Sequence, residues 1–132
     1  MERLFPLKRQ LNRNRQILLL LLVYFIFSFA TFISWEHKGI NQVTGDEPHY
    51  LIMTNGIVKY KTFEQTKAYK EEFITREIYS PGLAPKVANP SPENTHALLG
   101  ENGLFNVHNI GLPLLLAIPF SIGGVIGTKI FM

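Results

Sequence analysis

The chain has 132 residues, of which 46% are hydrophobic and 17% charged, so it has room for one ordinary domain. It contains no cysteine, which excludes disulfide frameworks and Cys-ligated zinc. The formal net charge of +3 is placed unevenly, because residues 1–16 hold five basic side chains and one acidic one, whereas residues 36–109 hold seven basic and nine acidic ones. Nucleic-acid recognition needs a basic patch with stacking aromatics on a folded surface, so we expect no nucleic-acid partner.

The first element is an apolar block that predicts a transmembrane helix over residues 17–35. No Asp, Glu, Lys or Arg falls between Arg15 and Glu36. A helix of that length measures roughly 28 Å, close to the ~30 Å of the bilayer core. Trp35 suits the membrane interface, and the basic residues 1–16 are typical of a cytoplasmic flank. A cleaved signal peptide is the alternative, but the block is longer than a signal core and lacks a small-residue cleavage site after it.

The polar stretch that follows, residues 36–109, is predicted to be a large external loop with local structure of its own. Asp46 is a good N-cap residue and Pro48 suits a first helical turn, so we expect a helix to begin there. Its apolar residues predict a short amphipathic helix, interrupted near Gly56. Such helices next to a span can lie along the membrane surface.

A second helix is predicted over residues 62–79 of the loop. Lys67 and Glu71 stand at i, i+4 spacing, which favours an ion pair on one helix face. Its apolar contacts are expected from Phe63, Phe73 and Ile74.

The rest of the loop contains an extended segment and a hairpin signal. Residues 80–92 are rich in proline and predict extended chain. Residues 96–99 and 104–107 flank a turn that contains Asn102-Gly103, a pair typical of β-hairpins.

The second apolar block predicts a transmembrane helix over residues 110–128, with a short cytoplasmic end at residues 129–132. Its two prolines would break a soluble helix, but membrane helices tolerate them. Gly123 and Gly127 offer a small-residue face for another helix. The fold class expected from the whole chain is an α-helical membrane protein, in which two transmembrane helices are joined by a large external loop with short amphipathic helices and a β-hairpin.

The chemically interesting cluster follows the first span. Asp46 and Glu47 are adjacent carboxylates and His49 is an imidazole close by, a set that suits a general base or a divalent metal. The structural alternative is that Asp46 caps a helix, Glu47 favours its positive end and His49 is solvated. For His108, at the entry to the second span, the alternative is an ordinary residue at the membrane interface. Local chemistry leaves both interpretations open, and no cofactor is predicted beyond that metal.

Two segments together resemble a known family. The motif after the first span is Gly45-Asp46-Glu47-Pro48-His49-Tyr50-Leu51, and residues 102–117 contain His108 before a Gly-Leu-Pro and Leu-rich run. Their order and position resemble the integral-membrane glycosyltransferases of the GT-C superfamily, which include the protein O-mannosyltransferases and the bacterial aminoarabinose transferases. The resemblance covers roughly residues 17–127 and is weakest over residues 60–95.

The resemblance implies transfer of a sugar from a polyprenyl-phosphate donor to an acceptor on the external face of a plasma or inner membrane. It gives Asp46 the role of general base or site organiser, with Glu47 beside it as the second catalytic candidate. His49 and His108 become candidate substrate-binding residues. The implied partners are the lipid bilayer and a polyprenyl-phosphate-linked sugar.

The family's members have many more spans, typically eight or more. We therefore expect this chain to be an N-terminal fragment that is inactive alone, with a second polypeptide or further spans supplying the missing part. The alternative is a non-catalytic two-span membrane protein whose external loop binds a partner. A third interpretation is a signal-anchored external module with a C-terminal tail anchor. The location of Met132 tests the two-span topology, which requires Met132 to be cytoplasmic.

Overall fold

A computed structural model describes the backbone of residues 4–132 and the side chains of residues 12–132. The described chain is mostly helical and divides into two compact units, one ending at Asn41 and the other spanning Gln42–Met132. The predicted cytoplasmic segment, residues 1–16, falls mostly outside the residues whose side chains are described.

The first unit is built on one long helix, α1, which spans Leu4–His37. Its part Asn12–His37 is long and apolar enough to cross a membrane. From residue 12 to residue 31 every side chain is exposed. A helix that is apolar on all faces is stable where lipid surrounds it. The predicted helix over residues 17–35 is therefore confirmed as a candidate span.

The second unit packs short elements around one small core. In chain order they are α2 (Glu47–Asn55), a π-helical turn (Gly56–Tyr60), α3 (Thr66–Thr75), β1 (Ala97–Gly100), β2 (Gly103–Asn106) and α4 (Gly111–Phe131). Each helix contributes to the core, and so do both strands, through Leu51, Ile52, Tyr69, Phe73, Ala97, Leu104 and Leu116. The external loop and the second apolar block thus fold together.

Helix α2 begins where the sequence predicts, but it does not lie along a surface. Pro48, His49 and four consecutive residues from Leu51 to Thr54 are buried, so the helix is enclosed on several faces. The expected interruption near Gly56 is a change of hydrogen-bond pattern, since the chain continues as a π-helical turn up to Tyr60. A Cβ at Gly56 would lie 3.1 Å from the amide nitrogen of the Gln65 side chain, so the two residues pack closely there. Tertiary packing therefore overrides the amphipathic pattern.

Helix α3 is shorter than predicted at both ends. Gln65 donates its backbone N–H to the Leu104 carbonyl at 2.8 Å, and Glu64 forms a β-bridge with Phe105, so the chain before Thr66 is held by the hairpin. At the other end Arg76 adopts a left-handed conformation with φ of 55°, which stops the helix. A long-range contact with the hairpin therefore sets the first boundary, and the local conformation of Arg76 sets the second.

The predicted side-chain contacts of α3 are only partly correct. Phe73 is buried, but Phe63 and Ile74 are exposed. Glu71 does not pair with Lys67 as the spacing suggests; it bonds to Lys59, and it accepts a hydrogen bond from the Tyr60 hydroxyl at 2.9 Å. Both partners belong to the π-helical turn that precedes α3.

The carboxylate of Glu72 lies in the core and ties the end of α3 to the chain beyond it. The side chain is 2% exposed and accepts backbone N–H groups from Ile78 at 2.9 Å and from Tyr79 at 2.8 Å. Burial raises the pKa of this carboxyl above its ordinary value of 4.5, although the N–H groups oppose the shift.

Replacing Glu72 by glutamine is expected to reduce the pH dependence of stability. The raised pKa makes the folded protein bind a proton more readily than the unfolded chain. The free energy of unfolding therefore falls as the pH rises from about 4.5 to the folded pKa. Chemical unfolding in detergent micelles at several pH values should show a flatter profile for Glu72→Gln than for the wild type. Glu101→Gln, in the exposed hairpin turn, serves as control; a Glu72→Gln profile as steep as the wild-type one would contradict this assignment.

The predicted hairpin is confirmed. Strands β1 and β2 pair antiparallel, with Ala97 opposite Asn106 and Gly100 opposite Gly103, and residues 80–96 before them form neither helix nor strand. Gly103 has φ of +131°, and a Cβ there would overlap the carboxylate of Glu64. The hairpin therefore needs glycine at that position both for conformation and for space.

Helix α4 is long and apolar enough to be a second candidate span, but it is not one straight rod. Gly123 and Gly124 have non-helical backbone angles, which divide α4 into limbs of roughly 18 Å and 10 Å. A Cβ at Gly127 would overlap the carbonyl oxygen of Pro119, whereas a straight helix would keep these residues about 12 Å apart. The chain thus folds back at Gly123–Gly124. Gly127 packs against its own helix and does not form the predicted face with Gly123.

The two faces of α4 differ in what they contact. Pro113, Leu116 and Thr128 are buried against the unit's core, while Leu115, Ile118 and several other apolar residues are exposed. A large exposed apolar face on a helix that packs through its other face is typical of contact with lipid or with another protein.

Candidate active site around Asp46

Asp46 stands at the N-cap position of α2 but does not cap the helix. Its side chain makes no capping hydrogen bond, and its backbone φ and ψ of −87° and −11° are helical. The carboxylate instead turns to two imidazoles: Oδ1 lies 3.3 Å from His96 Nδ1 and 3.9 Å from His108 Nε2. The carboxylate is therefore available for chemistry, which removes the main structural alternative for this residue.

His96 is the site residue that the sequence motifs missed. Its Nδ1 lies 3.1 Å from His108 Nε2. One polar side-chain atom each of Asp46, His96 and His108 lies within 4.8 Å of the other two. The hairpin brings them together: the register that pairs Ala97 with Asn106 continues one step outward, where Val107 N–H donates to the His96 carbonyl at 3.0 Å. A hairpin over residues 96–99 and 104–107, as predicted from the sequence, is the signal that could have placed His96 near His108.

His49 is buried beneath this cluster and is not solvated as the structural alternative supposed. It is 6% exposed, and its ring stacks on that of His96 with centroids 3.8 Å apart and an angle of 13° between planes. Burial, with smaller contributions from the neighbouring imidazoles of His96 and His108, lowers the pKa of His49 to about 4. His49 is therefore a neutral support for the cluster near neutral pH.

A hydrogen-bond network holds His49 and fixes the position of His108. The Tyr69 hydroxyl lies 2.8 Å from His49 Nδ1 and forms a hydrogen bond with it. Asn106 Nδ2 donates at 3.3 Å both to that hydroxyl and to the His49 carbonyl, and Asn106 Oδ1 accepts the backbone N–H of His108 at 2.9 Å. Burial also raises the pKa of Tyr69, so the hydroxyl keeps its proton.

Glu47 does not join the cluster, although it follows Asp46 directly in the chain. Its Oε2 accepts the backbone N–H of Thr44 at 3.2 Å, which closes the turn before α2. The two adjacent carboxylates therefore have different contacts. The structure shows no contact between the Glu47 side chain and Asp46 or the histidines near it.

A separate cleft of about 380 Å³ lies between α3 and the fold-back of α4. Its walls include Lys59, Glu71 and Glu77 on one side and Gly123 and Gly124 on the other. Neither Asp46 nor any of the three histidines near it lines this cleft, so the cluster and the cleft are distinct features.

The Asp46 cluster, which consists of Asp46, His96 and His108, is thus accessible to solvent and packs on the buried His49. The side chain of Asp46 is 60% exposed, that of His96 48% and that of His108 15%, so a molecule from outside can reach the carboxylate. Such a carboxylate can accept a proton from an approaching hydroxyl or bind a cation together with the imidazoles. In comparisons of the whole chain with protein-family models, curated proteins and solved structures, nothing matches it.

Proposed function

We propose that this chain is the N-terminal part of a GT-C-type membrane glycosyltransferase, which transfers a sugar from a polyprenyl-phosphate donor to an acceptor on the external side. The observation that supports the proposal is that the two segments on which the resemblance rests lie close together in the fold. Asp46 belongs to the first motif and His108 to the second, and their polar atoms lie 3.9 Å apart. Motifs that contribute to one active site are expected to converge in this way.

In the proposed reaction Asp46 is the general base. Its carboxylate takes the proton from the acceptor hydroxyl as the oxygen forms a bond to the anomeric carbon of the sugar. The bond between that carbon and the donor phosphate breaks, and polyprenyl phosphate leaves with the electron pair. This displacement inverts the anomeric carbon. His108 contacts the substrates from the entry of α4, and His49 supports the cluster from below.

The proposal needs further protein. The donor phosphate is bound by cationic groups of later loops in the family that the chain resembles, so a second polypeptide or further spans must supply them. The reaction as written places no requirement on a metal ion, because Asp46 accepts the proton directly.

The experiment that tests the proposal supplies the missing part in trans. The DNA directly downstream is searched for a reading frame that encodes several hydrophobic spans, and such a frame is co-expressed with this chain. Transfer from polyprenyl-phosphate sugars is then assayed in membranes. We expect transfer by the pair and none by the 132-residue chain alone. Transfer by the chain alone would overturn the fragment hypothesis, and no transfer by the pair would overturn the transferase.

We also propose that the N-terminus is cytoplasmic, that residues 36–109 are external and that α4 crosses back. The break at Gly123–Gly124 leaves backbone groups without helical partners, and each costs several kcal/mol in hydrocarbon. We therefore expect α4 to straighten on insertion, which brings Met132 to the cytoplasmic side.

Single-cysteine labelling checks this topology without background, since the chain has no cysteine. A membrane-impermeant maleimide should label Lys86→Cys in intact cells, but Arg13→Cys and Met132→Cys only after permeabilisation. Labelling of Met132→Cys in intact cells would show that α4 keeps its fold-back and that the two-span topology is wrong.

The runner-up is a non-catalytic two-span protein whose external loop binds a partner. The 380 Å³ cleft favours it, because charged side chains, among them Lys59 and Glu77, line it together with residues of the fold-back of α4. In that case substitutions at Lys59 and Glu77 would disturb the protein's biological role, and substitutions at Asp46 would not.

A further inference from the structure

The polar atoms of the Asp46 cluster have the spacing of a metal site. A tetrahedral ion with ligand distances of about 2.0–2.1 Å sets its ligand atoms about 3.3–3.4 Å apart. The three separations among Asp46 Oδ1, His96 Nδ1 and His108 Nε2 are 3.1, 3.3 and 3.9 Å, which bracket that edge length. We propose that these three side chains bind a divalent transition metal of the zinc class, with at least one coordination position open to solvent.

The three polar atoms converge closely enough for one cation to contact all of them. His96 Nδ1 lies within 3.3 Å of both an imidazole nitrogen and a carboxylate oxygen, and a neutral ring has at most one proton on that atom for the two contacts. A cation between the three atoms satisfies all of them at once, since each donates a lone pair to it. The turn of Asp46 away from its capping position adds an independent sign that the carboxylate serves the cluster.

The donor set selects the class of metal. Two imidazole nitrogens and one carboxylate suit zinc and its first-row neighbours, whereas calcium and magnesium prefer sites built only from oxygen. Three protein ligands with an open position are typical of metal sites that bind a water or a substrate oxygen. The described contacts use only Oδ1 of Asp46 for the imidazoles, so the second carboxylate oxygen can still accept a proton.

The surroundings hold the ligands in place before any ion binds. His49 stacks under the ring of His96, and the Asn106 side chain fixes the backbone of His108. The ligands come from the start of α2 and from both ends of the hairpin, elements that pack on one core. Such outer contacts normally orient metal ligands and strengthen binding.

The metal proposal goes beyond the proposed function and does not depend on it. A bound divalent ion would act there as a Lewis acid for an oxygen of a substrate or of water. The test needs no sugar donor and no further polypeptide, so absence of transferase activity leaves its result unaffected.

The test is metal binding by the purified 132-residue protein in detergent micelles. The protein carries an affinity tag without histidine and is stripped of metal with a chelator. We expect isothermal titration with Zn²⁺ to give one ion per chain, and Co²⁺ to give the strong visible absorption of tetrahedral coordination. Asp46→Asn, His96→Gln and His108→Gln should each weaken binding by at least about 10- to 100-fold. His37→Gln is the matched control, because His37 lies in α1 and should not affect binding.

Three results would overturn the proposal. They are no stoichiometric Zn²⁺ binding by the wild type, undiminished binding by both His96→Gln and His108→Gln, and an equal loss in His37→Gln. Far-ultraviolet circular dichroism shows whether each variant is folded. If a variant does not fold, the electron paramagnetic resonance spectrum of the Cu²⁺-loaded wild type provides the test. Nitrogen couplings from two imidazole ligands would support the site, and the absence of nitrogen couplings would overturn it.

Discussion

Replacing Asp46 by asparagine in the completed enzyme is expected to lower the rate of sugar transfer by about 10²- to 10⁴-fold. Asparagine has the same shape but cannot take the proton of an acceptor hydroxyl. The substitution should not disturb folding, because the side chain is 60% exposed and makes no capping bond to α2. Initial rates of the chain combined with its remaining spans, at saturating donor, measure the effect.

Glu47→Gln is the matched control for that experiment. The two residues are neighbours and both are acids, but the Glu47 carboxylate only accepts the backbone N–H of Thr44, and a glutamine oxygen can accept the same bond. We expect Glu47→Gln to retain most of the wild-type rate. An Asp46→Asn enzyme with more than half of the wild-type rate, or equal losses in both variants, would show that Asp46 is not the base.

The difference between these two acids illustrates what the sequence could predict. It correctly marked the start of α2, because an Asp followed by a proline is a local signal. It could not separate Asp46 from Glu47, because the direction of the Asp46 carboxylate depends on histidines about 50 and 60 positions further along the chain. His96 lacked a motif of its own, and only the hairpin register could have placed it beside His108.

Burial was harder to predict than local structure. The hairpin carried its signal in the Asn102-Gly103 pair and formed as expected. The stacking of His49 on His96 depends on the packing of α2 against the hairpin, and its bond to Tyr69 depends on the packing of α2 against α3. No short window of sequence reports either contact. The fold-back of α4 likewise depends on contacts eight residues apart, between Gly127 and Pro119.

Leu116→Ala is expected to lower the free energy of unfolding by about 2–5 kcal/mol. Leu116 is 1% exposed and is the main apolar contact of α4 with the core of the second unit. Its truncation removes buried apolar surface and leaves a cavity that a packed core closes only in part. Chemical unfolding in detergent micelles, followed by circular dichroism, measures the change.

Leu115→Ala provides the control, because Leu115 is the same residue type one position earlier on α4 and is 58% exposed. Its truncation should change the free energy of unfolding by less than about 0.5 kcal/mol in micelles. Equal effects of the two substitutions would mean that α4 does not pack on the loop. His108 would then lose its anchor, since it precedes α4 by only a few residues, and its meeting with Asp46 and His96 would have no structural support. A large difference between the two leucines would instead tie the cluster to the second apolar segment, because the packing that buries Leu116 also brings His108 to Asp46.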